Sequence, residues 1–218
     1  MADEVPGAAR RSRFRTARME AFSDGVFAIA ITLLILEIGV PAGSEDDLLK
    51  ALVDQWPSYL AYLVSFSTIG AIWIKHMVMT EHLHGATGAL IRLNLLLLMV
   101  VSFLPFPTRL VAEHVSDHEA ERVSTTVYGI NLLVASFLVG AVWRYAIRER
   151  LVRPDASDDD VAALSRWLVP SLAGYVVMIA LGLFVPMLAV IGYLAIAVYI
   201  IVPFHAIRHR APRPDVEV

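Results

Sequence analysis

Apolar residues along the chain are gathered into six runs, which are separated by short polar or charged connections. Each run is about 20 residues long or longer, which is enough to cross about 30 Å of hydrocarbon as an α-helix. The predicted spans are residues 19–40, 57–79, 89–111, 123–147, 167–186 and 187–207. This pattern predicts an all-α integral membrane protein with six transmembrane helices in each chain.

Local sequence signals mark where several of these helices begin and end. Pro105 and Pro107 are expected to end the third span, because proline lacks the backbone N–H that a helix interior needs. Residues 184–187 leave room only for a tight turn, so spans five and six are expected to form a helical hairpin. Residues 155–160 form a short acidic connection, whose carboxylates suit the first turn of the helix that follows.

Composition supports the membrane interpretation. Hydrophobic residues make up 57% of the chain, and the mean hydropathy is +0.64, both above what a soluble core requires. The chain has no cysteine, which excludes disulfides, thiolate metal sites and cysteine nucleophiles. The first apolar run follows a basic segment but has no small-x-small cleavage site, so it is expected to be a retained span and not a signal peptide.

The distribution of charge predicts an orientation. Basic residues cluster before span one, after span four and after span six: Arg10, Arg11, Arg13, Arg15, Arg18, Arg144, Arg148, Arg150, Arg153, Arg208, Arg210 and Arg213. The positive-inside rule then places both termini in the cytoplasm of a multi-pass plasma-membrane protein. The chain divides into a basic tail (1–17), a transmembrane unit (18–207) and a C-terminal tail (208–218).

The first span carries a distinct seam. Five of its positions, alternating by steps of three and four, fall on one helix face: Phe22, Gly25, Ile29, Thr32 and Leu36. This spacing is typical of a helix that packs against symmetric copies of itself. A membrane helix with such a seam can line a central pore.

Two charged side chains, one inside the first predicted span and one just before it, each admit two interpretations. Asp24 lies about 140° from Ile29 around the helix, so it is expected to point into the subunit and away from a pore. It is either a structural carboxylate, tied to a neighbouring span by His76 or another donor, or an ion ligand or proton relay. Because an intramembrane acid usually needs a partner, the structural interpretation is favoured. Arg18 is either a positive-inside anchor or a residue at the pore mouth.

Enzyme and metal signatures are missing from the sequence. It contains no His-Glu-x-x-His, Gly-x-Ser-x-Gly or Walker motif, and no catalytic pair is expected. The loop histidines divide between opposite sides of the membrane, so neither a metal nor another cofactor is expected. A conventional potassium-channel filter, Thr-Val-Gly-Tyr-Gly, is also missing. Any ion selectivity would therefore come from side chains on a pore-lining helix.

The segment Arg18-x-x-x-Phe22-Ser23-Asp24, followed by an apolar helix with Thr32, resembles the signature of the transmembrane protein 175 family. Trp73 and His76 also match that family. The resemblance implies a potassium-permeable channel, related to channels of endosomes and lysosomes. It also implies that a chain with one six-helix unit forms a homotetramer, with the first helices around the pore.

The resemblance further implies roles for single residues. The pore constriction falls on Ile29, five positions after the motif aspartate, and further apolar rings fall on Leu33 and Leu36. The hydroxyl layer associated with potassium preference falls on Thr32. The residues expected to hold the base of the pore helix are Arg18, Phe22, Ser23, Asp24, Trp73 and His76.

One further residue is a candidate from its position alone. Glu37 lies about 80° from Ile29 and is expected to concentrate cations near the outer mouth. The expected partners are thus monovalent cations, with a modest preference for K⁺, the lipid bilayer and further copies of the chain, and no nucleic acid. Two alternatives stay open: a secondary or proton-coupled transporter that uses Asp24 and His76, and a non-conducting membrane scaffold.

Overall fold

The computed structural model describes residues 16–39, 47–115, 117–168 and 171–202. The predicted C-terminal tail and nearly all of the N-terminal tail lie outside these ranges. The described residues form nine α-helices and one 3₁₀ helix, and their only β contact is an isolated bridge between Leu83 and Val152. The elements are α1 (Thr16–Leu33), the 3₁₀ helix (Leu34–Glu37), α2 (Leu48–Asp54), α3 (Trp56–Glu81), α4 (Gly88–Ser102), α5 (Pro105–Glu113), α6 (His118–Arg148), α7 (Asp158–Leu168), α8 (Ser171–Gly182) and α9 (Pro186–Ile201).

Five helical segments are long and apolar enough to cross a membrane: Thr16–Glu37, Trp56–Glu81, Gly88–Glu113, His118–Arg148 and Asp158–Gly182. The apolar helix α9 is shorter, with 16 residues, and the predicted sixth span runs to 207, beyond the described part of the chain. The predicted class, an all-α membrane protein, is confirmed. The count of six spans and the orientation of the termini stay predictions.

The third span differs from the expectation that Pro105 and Pro107 end it. A new helix, α5, begins at Pro105 and continues the span to Glu113. The prolines interrupt the helix without ending the span: Pro105 has no N–H to donate to the Val101 carbonyl, which accepts the Leu104 N–H instead. The Val100 carbonyl is then left free, and it accepts a hydrogen bond from Asn131 Nδ2 at 3.3 Å. A side chain from α6 thus stabilises the break.

The fifth span begins earlier than predicted. Helix α7 starts at Asp158 and not at 167. Its first turn carries the acidic residues expected there, and Ser157 Oγ accepts a hydrogen bond from the Asp160 N–H at 3.1 Å. Reciprocal capping of this kind stabilises a helix start in water, so the helix extends beyond its apolar part. The predicted hairpin is confirmed, because α8 ends at Gly182 and α9 begins at Pro186.

The bundle packs around α3 and α6. Helix α1 contacts α3 and α4, α3 also packs on α5 and α9, and α6 packs on α4 and α8. Three tyrosine rings lie together in the core: Tyr193 is 5.5 Å from Tyr128 and 6.3 Å from Tyr175, measured between ring centroids. Tyr193 and Ile179 fill the space beside Gly129 of α6, which leaves no room for a side chain there.

Replacing Gly129 with alanine is expected to destabilise the protein by about 1–3 kcal/mol, because it overpacks this core. A Cβ at Gly129 would overlap Tyr193 Oη and lie 2.7 Å from Ile179 Cγ1. Tyr193 is fully buried and cannot move aside freely. The measurement is thermal unfolding in detergent. Gly140→Ala in the same helix is the control, since nothing lies within 4 Å of its added Cβ. Equal melting temperatures for the two variants would contradict this account.

Candidate functional site

One face of α1 packs against the rest of the chain and the other is open. The packed face holds Met19, Ser23, Phe27 and Ala30, and Leu34 of the 3₁₀ helix continues it. All of the seam positions are exposed, with Ile29 61% and Leu36 73% accessible. The described residues of one chain therefore leave the predicted seam uncovered.

The open face is wider than the seam. Asp24 and Ala28 are also exposed, as is Ile35 in the 3₁₀ helix. At 100° per residue, the exposed positions of α1 cover an arc of about 180°. A seam facing a common axis occupies only part of that arc, so the remaining flank is free to meet lipid or a neighbouring helix.

The Thr32 hydroxyl is oriented by its own helix. Thr32 Oγ1 donates a hydrogen bond to the Ile29 carbonyl at 2.9 Å, and the side chain is exposed. Because the single hydroxyl proton is used in this bond, the oxygen lone pairs point away from the backbone as acceptors. Such an oxygen is suited to replace a water molecule around a cation.

A buried hydrogen-bond network joins α1 to α3 and α4. Ser23 Oγ donates to the Met19 carbonyl at 2.8 Å and accepts from Asn94 Nδ2 at 2.9 Å. Asn94 Oδ1 lies 2.8 Å from His76 Nε2. Since an amide oxygen only accepts, His76 must carry its proton on Nε2. All three linked side chains, Ser23, Asn94 and His76, are at most 2% exposed, so the network fixes the base of α1 from inside the bundle.

Asp24 is held separately from His76. Its Oδ1 accepts a hydrogen bond from Trp73 Nε1 at 2.9 Å. Asp24 therefore has the structural partner that was expected, with Trp73 as the donor, while His76 pairs with Asn94. Asp24 is nevertheless exposed, on the flank of the open face, and does not point into the chain's own core. Sequence reasoning assigned no role to Asn94, although a lone amide within an apolar run was the available signal.

The other two motif residues lie on the open face. Phe22 is 56% exposed, and Arg18 is exposed one turn before it. The chain thus brings together Ser23, Asp24, Trp73 and His76 as supports of α1. Arg18 and Phe22 do not join this group within one chain.

Glu37 is turned away from the seam. In a 3₁₀ helix, residues three apart lie on the same face, so Glu37 follows the buried Leu34 and not Ile29. Its side chain is 22% exposed and lies 3.9 Å from Arg109 Nε on α5. Arg109 Nε in turn donates to Glu113 Oε1 at 2.7 Å. The partner of Glu37 is therefore a cation that sequence reasoning did not connect with it.

Lys75 is a buried cation on the same helix as Trp73 and His76. Its Nζ donates to Ser171 Oγ at 2.7 Å and to the Leu168 carbonyl at 3.2 Å. The Trp167 ring centroid lies 6.0 Å from the same nitrogen. A carbonyl at the C-terminal end of α7 is a favourable partner for a positive charge. Helix α3 thus supports α1 on one side and contacts the last residue of α7 and the first residue of α8 on the other.

A polar cavity of about 620 Å³ opens at the end of the bundle where α1 begins. Its lining includes Thr16 and Glu20 of α1, together with His82, Arg153 and Asp155. Hydrogen bonds from Arg153 hold the pKa of the Asp155 carboxyl below its usual value. In the part of the chain that the structure describes, no group of three or more His, Asp or Glu is placed to hold a metal ion. The cavity places polar side chains, both acidic and basic, beside the first turn of α1.

The fold and the arrangement around α1 are those of a helical membrane channel. The crystal structure of a lysosomal potassium-selective channel TMEM175 homolog from Chamaesiphon minutus superposes with a TM-score of 0.78 at 37% identity, covering 90% of this chain and 98% of that one. The family model described as endosomal/lysosomal potassium channel TMEM175 matches residues 18–105. The chain belongs to the TMEM175 family, which confirms the resemblance seen in its first-helix motif.

Two curated bacterial relatives agree with this assignment. A potassium channel of Chamaesiphon minutus is 38% identical over 188 residues, which cover 84% of this chain and 92% of the relative. A potassium channel of Streptomyces collinus is 46% identical over 134 residues, which cover 61% of this chain and 65% of the relative. The family and both relatives are described as potassium channels.

Proposed function

We propose that this protein is a potassium-permeable cation channel of the plasma membrane, with a pore lined by α1 and no Thr-Val-Gly-Tyr-Gly filter. The observation that carries the proposal is the uncovered seam of α1, anchored from behind by Ser23 and Asp24, in a chain of the TMEM175 family. In this proposal, both termini are cytoplasmic. Residues 18–207 form the channel unit, and no cofactor takes part.

Four copies of the chain form the channel in this proposal. Large apolar side chains on the open face of the first span are uncovered in the single chain, with Ile29, Leu33 and Leu36 all at least 40% exposed. In a fourfold arrangement these side chains face one another around the central axis. The flank with Asp24 and Ala28 then contacts the adjacent copy. In closed cyclic symmetry every copy makes the same contacts with its neighbours, since each presents the same face.

The residues of the open face divide into a gate and its surroundings. Four Ile29 side chains form the narrowest ring and close it by excluding water, while Leu33 and Leu36 form the apolar walls beyond. Arg18 and Phe22 lie toward the entrance, and the network of Ser23, Asp24, Trp73 and His76 positions the helix base. Thr32 supplies the one ring of hydroxyl oxygens between the apolar rings.

Replacing Thr32 with alanine is expected to reduce the preference for K⁺ over Na⁺ by about two- to threefold, because the oriented lone pairs are lost from the pore. The measurement is the reversal potential with K⁺ on one side and Na⁺ on the other. Thr32→Ser is the matched control, since it keeps the hydroxyl that bonds the Ile29 carbonyl. A reversal potential unchanged in Thr32→Ala, or shifted equally in Thr32→Ser, would remove Thr32 from the selectivity mechanism.

The function itself is tested with purified protein in planar bilayers, with K⁺ on one side and Na⁺ on the other. We expect unitary currents that reverse toward the potassium equilibrium potential. Flux that saturates with substrate and stays far below channel turnover would instead favour a transporter that uses Asp24 and His76. Assembled oligomers without any current would favour a membrane scaffold.

A further inference from the structure

Three charged side chains meet where the pore helix ends. Glu37 closes the 3₁₀ helix that continues α1, and Arg109 and Glu113 lie one turn apart on α5. Arg109 Nε is 3.9 Å from Glu37 Oε2 and 2.7 Å from Glu113 Oε1. One guanidinium is therefore shared between two carboxylates from different elements.

The cation of this triad is its most exposed member. The side chain of Arg109 is 61% accessible, against 22% for Glu37 and 49% for Glu113. The shorter contact with Glu113 holds the guanidinium in place, because the two residues are four apart on one helix face. The 3₁₀ geometry directs Glu37 toward this cation. Arg109 is therefore more accessible than Glu37 to solvent and ions near the end of α1.

We propose that Arg109 sets the cation conductance by neutralising Glu37 at the mouth of the pore, while Glu113 adds a second negative charge beside Arg109. The inference rests on the proposed channel function and adds a determinant outside the pore helix. The triad carries a net charge of −1 in each chain. Removal of Arg109 changes it to −2, whereas removal of Glu113 changes it to zero.

The effect acts through the local concentration of cations. An extra negative charge on each copy raises the cation concentration at the mouth, and thereby the conductance, when ions are scarce. Dissolved salt suppresses this attraction, because the screening length falls from about 30 Å at about 10 mM to about 3 Å at about 1 M. A surface-charge effect is thus distinguished from a change in pore shape by its dependence on salt.

The experiment measures single-channel conductance in symmetric KCl at about 10 mM and about 1 M. Arg109→Gln is expected to raise the conductance by about two- to fourfold at low salt, with less than about a 1.3-fold difference from wild type at high salt. Glu113→Gln is expected to lower the conductance at low salt. Arg109→Lys, which keeps the charge, is expected to stay close to wild type.

Arg122→Gln is the matched control, since it removes an exposed cation from α6 at the same end of the bundle. An unchanged low-salt conductance in Arg109→Gln, an equal increase at both salt concentrations, or an equal increase in Arg122→Gln would each overturn the proposal for Arg109. In all of these outcomes wild type still conducts, so the proposed channel function is untouched. Wild-type protein without unitary current would instead overturn both proposals.

Discussion

Replacing Ile29 with asparagine is expected to increase the ionic current through the assembled channel by about tenfold or more, equivalent to a barrier lowered by about 1.4 kcal/mol. In the proposed pore, four Ile29 side chains exclude water from the narrowest ring, so a cation that enters loses hydration without replacement. Asparagine has nearly the same length but offers a carbonyl oxygen and an amide to water. Ile29→Ala widens the same ring without adding polar atoms, and a smaller increase in current is expected.

The measurement is current in planar bilayers at equal amounts of assembled protein. The matched control is Ile35→Asn, because Ile35 is 53% exposed but lies on the flank of the open face and not on the seam. The control is expected to conduct like wild type. Unchanged current in both Ile29 variants would count against Ile29 as the constriction. An equal increase in Ile35→Asn would show that any polar group on the open face has this effect.

Replacing Asn94 with leucine is expected to destabilise the assembled protein by about 2–6 kcal/mol. The change leaves two buried groups without partners, the acceptor side of Ser23 Oγ and the His76 Nε2 proton, and each costs about 1–3 kcal/mol. Leucine is close to asparagine in size, so the loss reflects hydrogen bonding and not a cavity. Because the network fixes the base of α1, conductance per assembled channel is expected to fall as well.

Thermal unfolding of the oligomer in detergent measures the first effect, and bilayer current measures the second. Ser102→Ala is the control on the same helix, since its hydroxyl is exposed and bonds only the Met99 carbonyl of its own helix. In a double-mutant cycle, Ser23→Ala and Asn94→Leu together are expected to cost less than the sum of the single changes, because each removes the same bond. Strict additivity, or wild-type stability of Asn94→Leu, would contradict this role.

The membrane helices were predictable because the bilayer imposes a strong, local requirement. Every backbone polar group must be satisfied within the segment, so a long apolar run has to be helical. The predicted spans 57–79 and 123–147 accordingly lie inside α3 and α6. The errors concern helix ends. Pro105 interrupts the backbone hydrogen bonds of the third span, but Asn131 donates to the carbonyl that is left free, so the span continues. The capped start at Asp158 extends the fifth span beyond its apolar part.

The candidate site was only partly predictable. The motif around Ser23 and Asp24 was visible in the sequence, and so was the short set of polar residues within the spans. Which of these residues pair with each other could not be predicted, because the partners are far apart along the chain. Ser23 bonds a side chain 71 residues away, and Asp24 bonds one 49 residues away. Lys75 reaches Ser171 across 96 residues, and no local pattern relates the two.

Periodicity alone assigned the membrane class and the exposed seam of the first span, since both depend on the spacing of side chains along a single helix. The packing of the helices decided which polar groups meet. It also decided the direction of the Glu37 carboxylate at the end of the first span. The last turn of the first span is a 3₁₀ helix, which aligns Glu37 with the buried Leu34 and directs it to Arg109. An α-helical extrapolation misplaces that side chain, because a 3₁₀ helix has about three residues per turn where an α-helix has about 3.6, and it is this 3₁₀ turn that packs against α3 and α5.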